Sequence, residues 1–147
     1  MFRNILVPTD GSPRSRRAAR NAVRLAREQG SRVTGLYVAP PYRPDFREGS
    51  APRNFVLPQE YAKRVKATAR RLLRALKRAA SVAGVKCETL CVTGDFPYDE
   101  IVRAAQSRKC DLIYMASHGR RGLSQLILGS ETSQVLSRCK VPVLVER

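Results

Sequence analysis

The sequence is poor in metal-binding side chains. It has one histidine and four cysteines, Cys87, Cys91, Cys110 and Cys139, and no two of the thiols stand at C-x-x-C spacing. That argues against a zinc site. No apolar run approaches the roughly 20 residues of a membrane helix. Ile5-Leu6-Val7 stops at Pro8, too short for the apolar core of a signal peptide. A soluble, cytoplasmic protein with reduced, half-buried thiols is therefore expected. The G-x4-G-K-S/T loop of the P-loop ATPases and its acidic partner are missing, which speaks against a fast ATPase. No signature for reading bases is present. Acidic residues are also scarce: 12 against 28 lysines and arginines, for a formal net charge of +16.

What is there alternates regularly. At 147 residues the chain fits one domain. Residues 2–7 form a short apolar run closed by Pro8. Ser12 and Pro13 suit the cap and first position of a helix, whose apolar face recurs at Ala18, Ala19, Ala22, Val23 and Ala26 and stops at Gly30. Residues 32–38 read as a second strand. A loop rich in proline follows, from Ala39 to Pro58. Helical spacing returns from Gln59 to about Ala83, through Val65, Ala69, Leu72, Leu73, Leu76 and Ala80. Residues 85–92 are a third strand, with Cys87 and Cys91 on one face. Pro97 opens a short helix. Residues 112–116 are apolar on both faces, as a central parallel strand should be. Residues 117–129 form a loop with helical potential in its middle. Ser130 caps a last helix, and residues 141–145 form a last strand interrupted by Pro142. This alternation predicts a single open, five-stranded parallel sheet with helices on both faces.

Ligands of such sheets sit at the carboxyl ends of the strands, near the point where the strand order reverses. Two segments lie there. After the fourth strand come Ala116-Ser117-His118-Gly119 and, nine residues beyond Gly119, Gly129-Ser130. Small residues let main-chain amides approach an anion, and a helix starting at Ser130 aims its free N–H groups at one. Arg120 and Arg121 add positive charge within the loop. After the first strand comes Asp10, which suits either an adenine or ribose contact or a turn in Asp10-Gly11-Ser12-Pro13. His118 is expected to position or pack the loop rather than to catalyse. Asp111 is expected to cap the start of a strand.

Ile5-Leu6-Val7-Pro8-Thr9-Asp10-Gly11-Ser12 resembles the opening of the universal stress proteins. The stretches 111–119, 122–124, 128–132 and 140–145 resemble that family's closing half. The resemblance covers residues 1–147 apart from the proline-rich loop. It implies a Rossmann-like fold of the adenine nucleotide alpha-hydrolase type and a homodimer paired through residues 141–145. It also implies a stress-response sensor or regulator, not an enzyme beyond slow ATP hydrolysis. ATP-binding members carry G-x2-G-x9-G-S/T. Here Gly119, Gly129 and Ser130 match, while Ala116 stands at the first glycine. By resemblance, Pro8, Thr9, Asp10 and Val38 line the adenine and ribose end. Ala116 and Gly119 border the ribose and first phosphate. Arg120, Gly129, Ser130, Glu131 and Thr132 hold the phosphate end of ATP, or of AMP or ADP, with Mg²⁺ on the phosphates. Alanine permits a fairly close approach but no cheap positive φ. A second reading therefore stands beside the first: a family member that binds no nucleotide and works through its dimer surface.

The cations are concentrated. Arg14, Arg16, Arg17, Arg20, Arg24 and Arg27 crowd the first helix. The second long helix carries eight more, and Lys66, Arg70, Arg74 and Arg78 stand four apart. Like charges at that spacing each cost about 0.2–0.5 kcal/mol. A polyanion such as nucleic acid, an acidic protein or an acidic membrane would relieve the repulsion; a solvated helix face is the plainer alternative. No aromatic residue alternates with these charges, so the sequence indicates no stacking platform for single strands.

Overall fold

The structure, a computed structural model, describes residues 1–44, 56–119 and 128–147. The elements run β1 (Asn4–Pro8), α1 (Pro13–Gln29), β2 (Arg32–Ala39), α2 (Pro58–Val82), β3 (Cys87–Thr93), α3 (Pro97–Ser107), β4 (Leu112–Ala116), α4 (Ser130–Arg138) and β5 (Val143–Glu146). The five strands are parallel, in the order β3-β2-β1-β4-β5. The expected fold class is the observed one. The order reverses between β1 and β4, so the carboxyl ends of these two strands flank the crevice.

Period-two alternation in each strand divides the core. Ile5 and Val7 of β1, with Leu112, Tyr114 and Ala116 of β4, pack under α1 and the end of α2. Leu6, Leu36, Ile113 and Met115 face the other way, toward Ile101, Ala104 and Ala105 of α3 and Val135 of α4. Ile5, Leu6, Leu36 and Ile113 are completely buried, each stabilising the fold by roughly 1.5–3 kcal/mol. The alanine face of α1 lets that helix lie close on the sheet. Ser12 caps it, its Oγ accepting from the Ser15 amide, and Gly30 ends it at φ 68°. The amino ends of β1 and β4 are tied together by polar groups: the Asp111 carboxylate accepts from the amides of Arg3 and Asn4 at 2.8–3.0 Å.

Several boundaries differ from the sequence reading; β1 is Asn4–Pro8 rather than residues 2–7, and β2 runs to Ala39. The third strand begins at Cys87, not at residue 85, because the Val85 amide closes the turn after α2 on the Ala80 carbonyl. The last strand is Val143–Glu146 rather than 141–145; Pro142 lies just outside it and offers its carbonyl to the Ile113 amide. Ser130 is the first residue of α4 rather than its cap, and Gly129 is the cap residue. The helical potential inside 117–129 and most of the proline-rich loop fall on residues 120–127 and 45–55, outside the described residues. Of the thiols, Cys87 and Cys139 are half-buried, Cys110 is buried and Cys91 is exposed; all four are unpaired. Burial pushes the Cys87, Cys91 and Cys110 thiols above their ordinary pKa. Among the described residues no helix is long and apolar enough to cross a membrane.

Candidate functional site

The two segments singled out by sequence meet at the switch point. Pro8 ends β1 and pairs with Leu36 of β2. Thr9 is buried, its amide donating to the Leu36 carbonyl and its hydroxyl 3.3 Å from that of Ser15. Asp10 turns the chain: its Oδ1 accepts from the Ser12 amide at 2.9 Å. The other carboxylate oxygen lies so near Gly119 that a Cβ there would stand 2.7 Å from it. Asp10 is thus a turn residue and a wall of the crevice at once.

On the β4 side, the first turn of α4 is bolted to the strand end. The Gly129 amide donates to the Ser117 carbonyl at 2.9 Å. The buried Thr132 hydroxyl, 3.1 Å from the carbonyls of both Ala116 and Ser117, is shared between them. A Cβ on Gly129 would lie 2.8 Å from the Ser117 oxygen and 3.3 Å from the His118 Cα. Gly129 therefore has a packing reason to be glycine; its φ is −60°. His118 is buried, with Nδ1 3.1 Å from the Ser117 hydroxyl. The first intrahelical bond of α4 runs from Ser133 N to Gly129 O, so the amides of Ser130, Glu131 and Thr132 precede it at the positive end of the helix dipole.

Other residues assigned by resemblance have different duties. The Glu131 carboxylate accepts from the Tyr98 amide at 2.9 Å and so caps α3, whose own cap residue, Phe96, makes no side-chain bond. Glu131 could offer a phosphate its main-chain amide but not its side chain. Val38 sits near the end of β2 on the face toward α3, packed with Leu90 and Val92. Arg120 lies outside the described residues. Ala116 is the last residue of β4, and Lys109 is the one non-glycine at positive φ among the described residues. The alanine thus needs no conformation that glycine alone would supply.

Sequence reasoning missed a polar cluster beside this site. Glu146 accepts from Arg17 Nε and Asn21 Nδ2, both at 2.8 Å, and from the Tyr114 hydroxyl at 2.9 Å. Burial, then the bond to Glu146, push the Tyr114 phenol up to about 12. Burial would raise the Glu146 carboxyl, but its hydrogen bonds from Asn21, Tyr114 and Arg17 outweigh that and hold it below the ordinary value. These partners are more than 100 residues apart in the chain, apart from Tyr114, and carry no spacing signal.

Among the described residues, no three His, Cys, Asp or Glu side chains cluster as a metal site. A separate groove of about 700 Å³ lies between α2 and β3 and reaches Pro40 and Thr93 at the carboxyl ends of β2 and β3.

A parallel sheet whose order reverses between β1 and β4, where two close-packed glycines and the start of α4 meet, defines a Rossmann-like α/β protein; ligands of such folds sit at that switch point. The universal stress protein family model matches residues 1–147. The chain is 33% identical over 147 residues to Universal stress protein MJ0531 of Methanocaldococcus jannaschii, covering 99% of this chain and 82% of that protein. The solved structure of the hypothetical protein MJ0577 superposes with a TM-score of 0.79 at 25% identity, covering 99% of this chain and 95% of that one. A universal stress protein in complex with cAMP superposes with a TM-score of 0.71 at 28% identity, covering 99% and 97%. The chain belongs to the universal stress protein family.

Proposed function

We propose that this chain is an adenine-nucleotide sensor that binds ATP in the crevice between the ends of β1 and β4. The supporting observation is the cradle itself. Gly119 stands against Asp10, and the first turn of α4, where the amides of Ser130, Glu131 and Thr132 precede the first intrahelical bond, is held to the end of β4. Such a wall admits a phosphate tail against main-chain donors. Asp10 is placed to accept from ribose or adenine. The related structure that holds cAMP supports an adenine ligand. Mg²⁺ would ride on the phosphates rather than on a carboxylate cluster. The protein acts as a stress-response binder in the cytoplasm, not as a fast enzyme, and works as a homodimer. β5 is an edge strand whose Leu144 side chain is exposed, which supports pairing there across a two-fold axis.

The test is calorimetry with ATP·Mg²⁺, AMP and cAMP, together with the ultraviolet spectrum of the freshly purified protein. Saturable heat with at least one nucleotide, or adenine absorbance released on denaturation, is expected. No heat and no thermal shift at millimolar nucleotide would overturn the reading and leave a family member that works through its dimer surface alone. Light scattering of Leu144→Asp checks the dimer, which should fall to monomer.

A further inference from the structure

We propose that the groove between α2 and β3 binds single-stranded nucleic acid, with phosphates on a rail of α2 cations and bases against a tyrosine pair at the groove's end. The rail is Lys66, Arg70, Arg74 and Lys77, all lining the groove and all exposed. α2 carries eight cations against a single carboxylate, Glu60. At 100° per residue the eight fall within about 160° of its circumference, opposite the buried Leu72 and Leu76. None of the ion pairs among the described residues engages them: these join Arg17 to Glu146, Arg43 to Asp95, Arg103 to Glu100 and Arg138 to Asp99. The like-charge ladder is therefore left unrelieved within the described chain, and a phosphate backbone would neutralise it.

The fold supplies what the sequence hides. Tyr42 and Tyr61, 19 positions apart, meet at one end of the groove with ring centroids 5.4 Å apart. Their hydroxyls are committed to main chain, Tyr42 to the Val56 carbonyl at 2.8 Å and Tyr61 to the Pro40 carbonyl at 2.5 Å. The rings are thereby held in place, half-buried against each other where they line the groove. No aromatic residue alternates with the charges along the sequence; the tyrosine pair lies at the end of the rail instead. Opposite the rail, β3 is an edge strand that turns Thr89, Cys91 and Thr93 into the groove. A cationic groove with aromatic rings and hydroxyls is the pattern of single-strand binders.

The charge decides among occupants. A second copy of this chain, with 12 acidic residues against 28 lysines and arginines, offers the rail little to neutralise it. A membrane surface would want apolar side chains beside the cations, but the exposed large apolar residues of this region, Leu57 and Val82, stand at the two ends of α2. A duplex keeps its base faces inward and leaves the tyrosines without a role.

Fluorescence anisotropy with labelled oligothymidylates of two to twelve nucleotides tests this. Affinity should rise with length and fall with salt, the log–log slope being about 0.7 per neutralised phosphate. Arg70→Gln with Arg74→Gln should weaken binding and reduce the slope by about 1.4. Tyr61→Ala should weaken binding about tenfold with the slope unchanged, and Tyr61→Phe, which keeps the ring, should bind nearly as wild type. Arg103→Gln, on the other side of the sheet, should bind as wild type. The proposal is overturned if the double variant keeps the wild-type slope or if affinity is independent of length. It is also overturned if Tyr61→Phe loses as much as Tyr61→Ala, or if polyglutamate or phosphatidylglycerol vesicles outcompete the oligonucleotide at equal charge.

Discussion

The Asp10 carboxylate and Gly119 are packed so closely that a methyl group on the glycine would stand 2.7 Å from Oδ2. The atom in the way is the tip of a side chain, so the fold can yield by turning the carboxylate aside. Gly119→Ala is therefore expected to change stability by less than about 0.5 kcal/mol. Moving Asp10 should weaken adenine-nucleotide affinity about tenfold, roughly 1.4 kcal/mol. Thermal melts and calorimetry on one preparation separate the two effects.

Gly129 is different, because its obstacle is main chain. The sequence alone suggests Gly129→Val as a probe that empties the site and leaves the fold intact. The structure corrects that expectation. A Cβ 2.8 Å from the Ser117 carbonyl pushes α4 off the strand end and strains the bond between the Gly129 amide and the same carbonyl. Gly129→Ala should cost about 1–3 kcal/mol, and the valine more, seen as a lower melting temperature without any nucleotide present.

Ala116→Gly restores the first glycine of the family motif. Ala116 ends a strand and is not at positive φ, so the change unlocks no conformation. It should cost up to about 1 kcal/mol through added backbone freedom and alter nucleotide affinity less than threefold. A tenfold gain in calorimetry would show that the methyl group, not the backbone, obstructs the ligand.

Glu146 and Tyr114 make stability depend on pH at opposite ends. The Glu146 pKa is lowered in the folded state, so its contribution is complete above the unfolded value near 4.5 and lost as pH falls through the lower folded value. The Tyr114 pKa is raised from 10 to about 12, so its contribution is complete below 10 and lost between 10 and 12. In urea melts across pH, Glu146→Gln should flatten the acid limb and Tyr114→Phe the alkaline limb. Each should cost roughly 1.5 kcal/mol at neutral pH through a lost charge-assisted bond.

Much of this molecule is legible in one dimension because local physics writes it there. Apolar spacing located every strand and helix, Ser12 and Pro13 announced α1, and Gly30 and Gly84 marked helix ends. Strict alternation implied parallel strands, and the strand-end rule pointed to residues 8–12 and 116–130. Boundaries slipped by a residue or two where a turn or cap bond outcompeted strand pairing, as at Val85 and Gly129.

Close approach between distant segments is another matter, since no periodicity records it. Only the folded chain sets Asp10 against Gly119, turns Glu131 away from the crevice to cap α3, gathers Arg17, Asn21 and Tyr114 around Glu146, and brings Tyr42 to Tyr61. Pattern and capping act over a few residues and so can be read along the chain. Which side chains share a carbonyl, a carboxylate or a groove depends on packing three layers together, and that is decided in space.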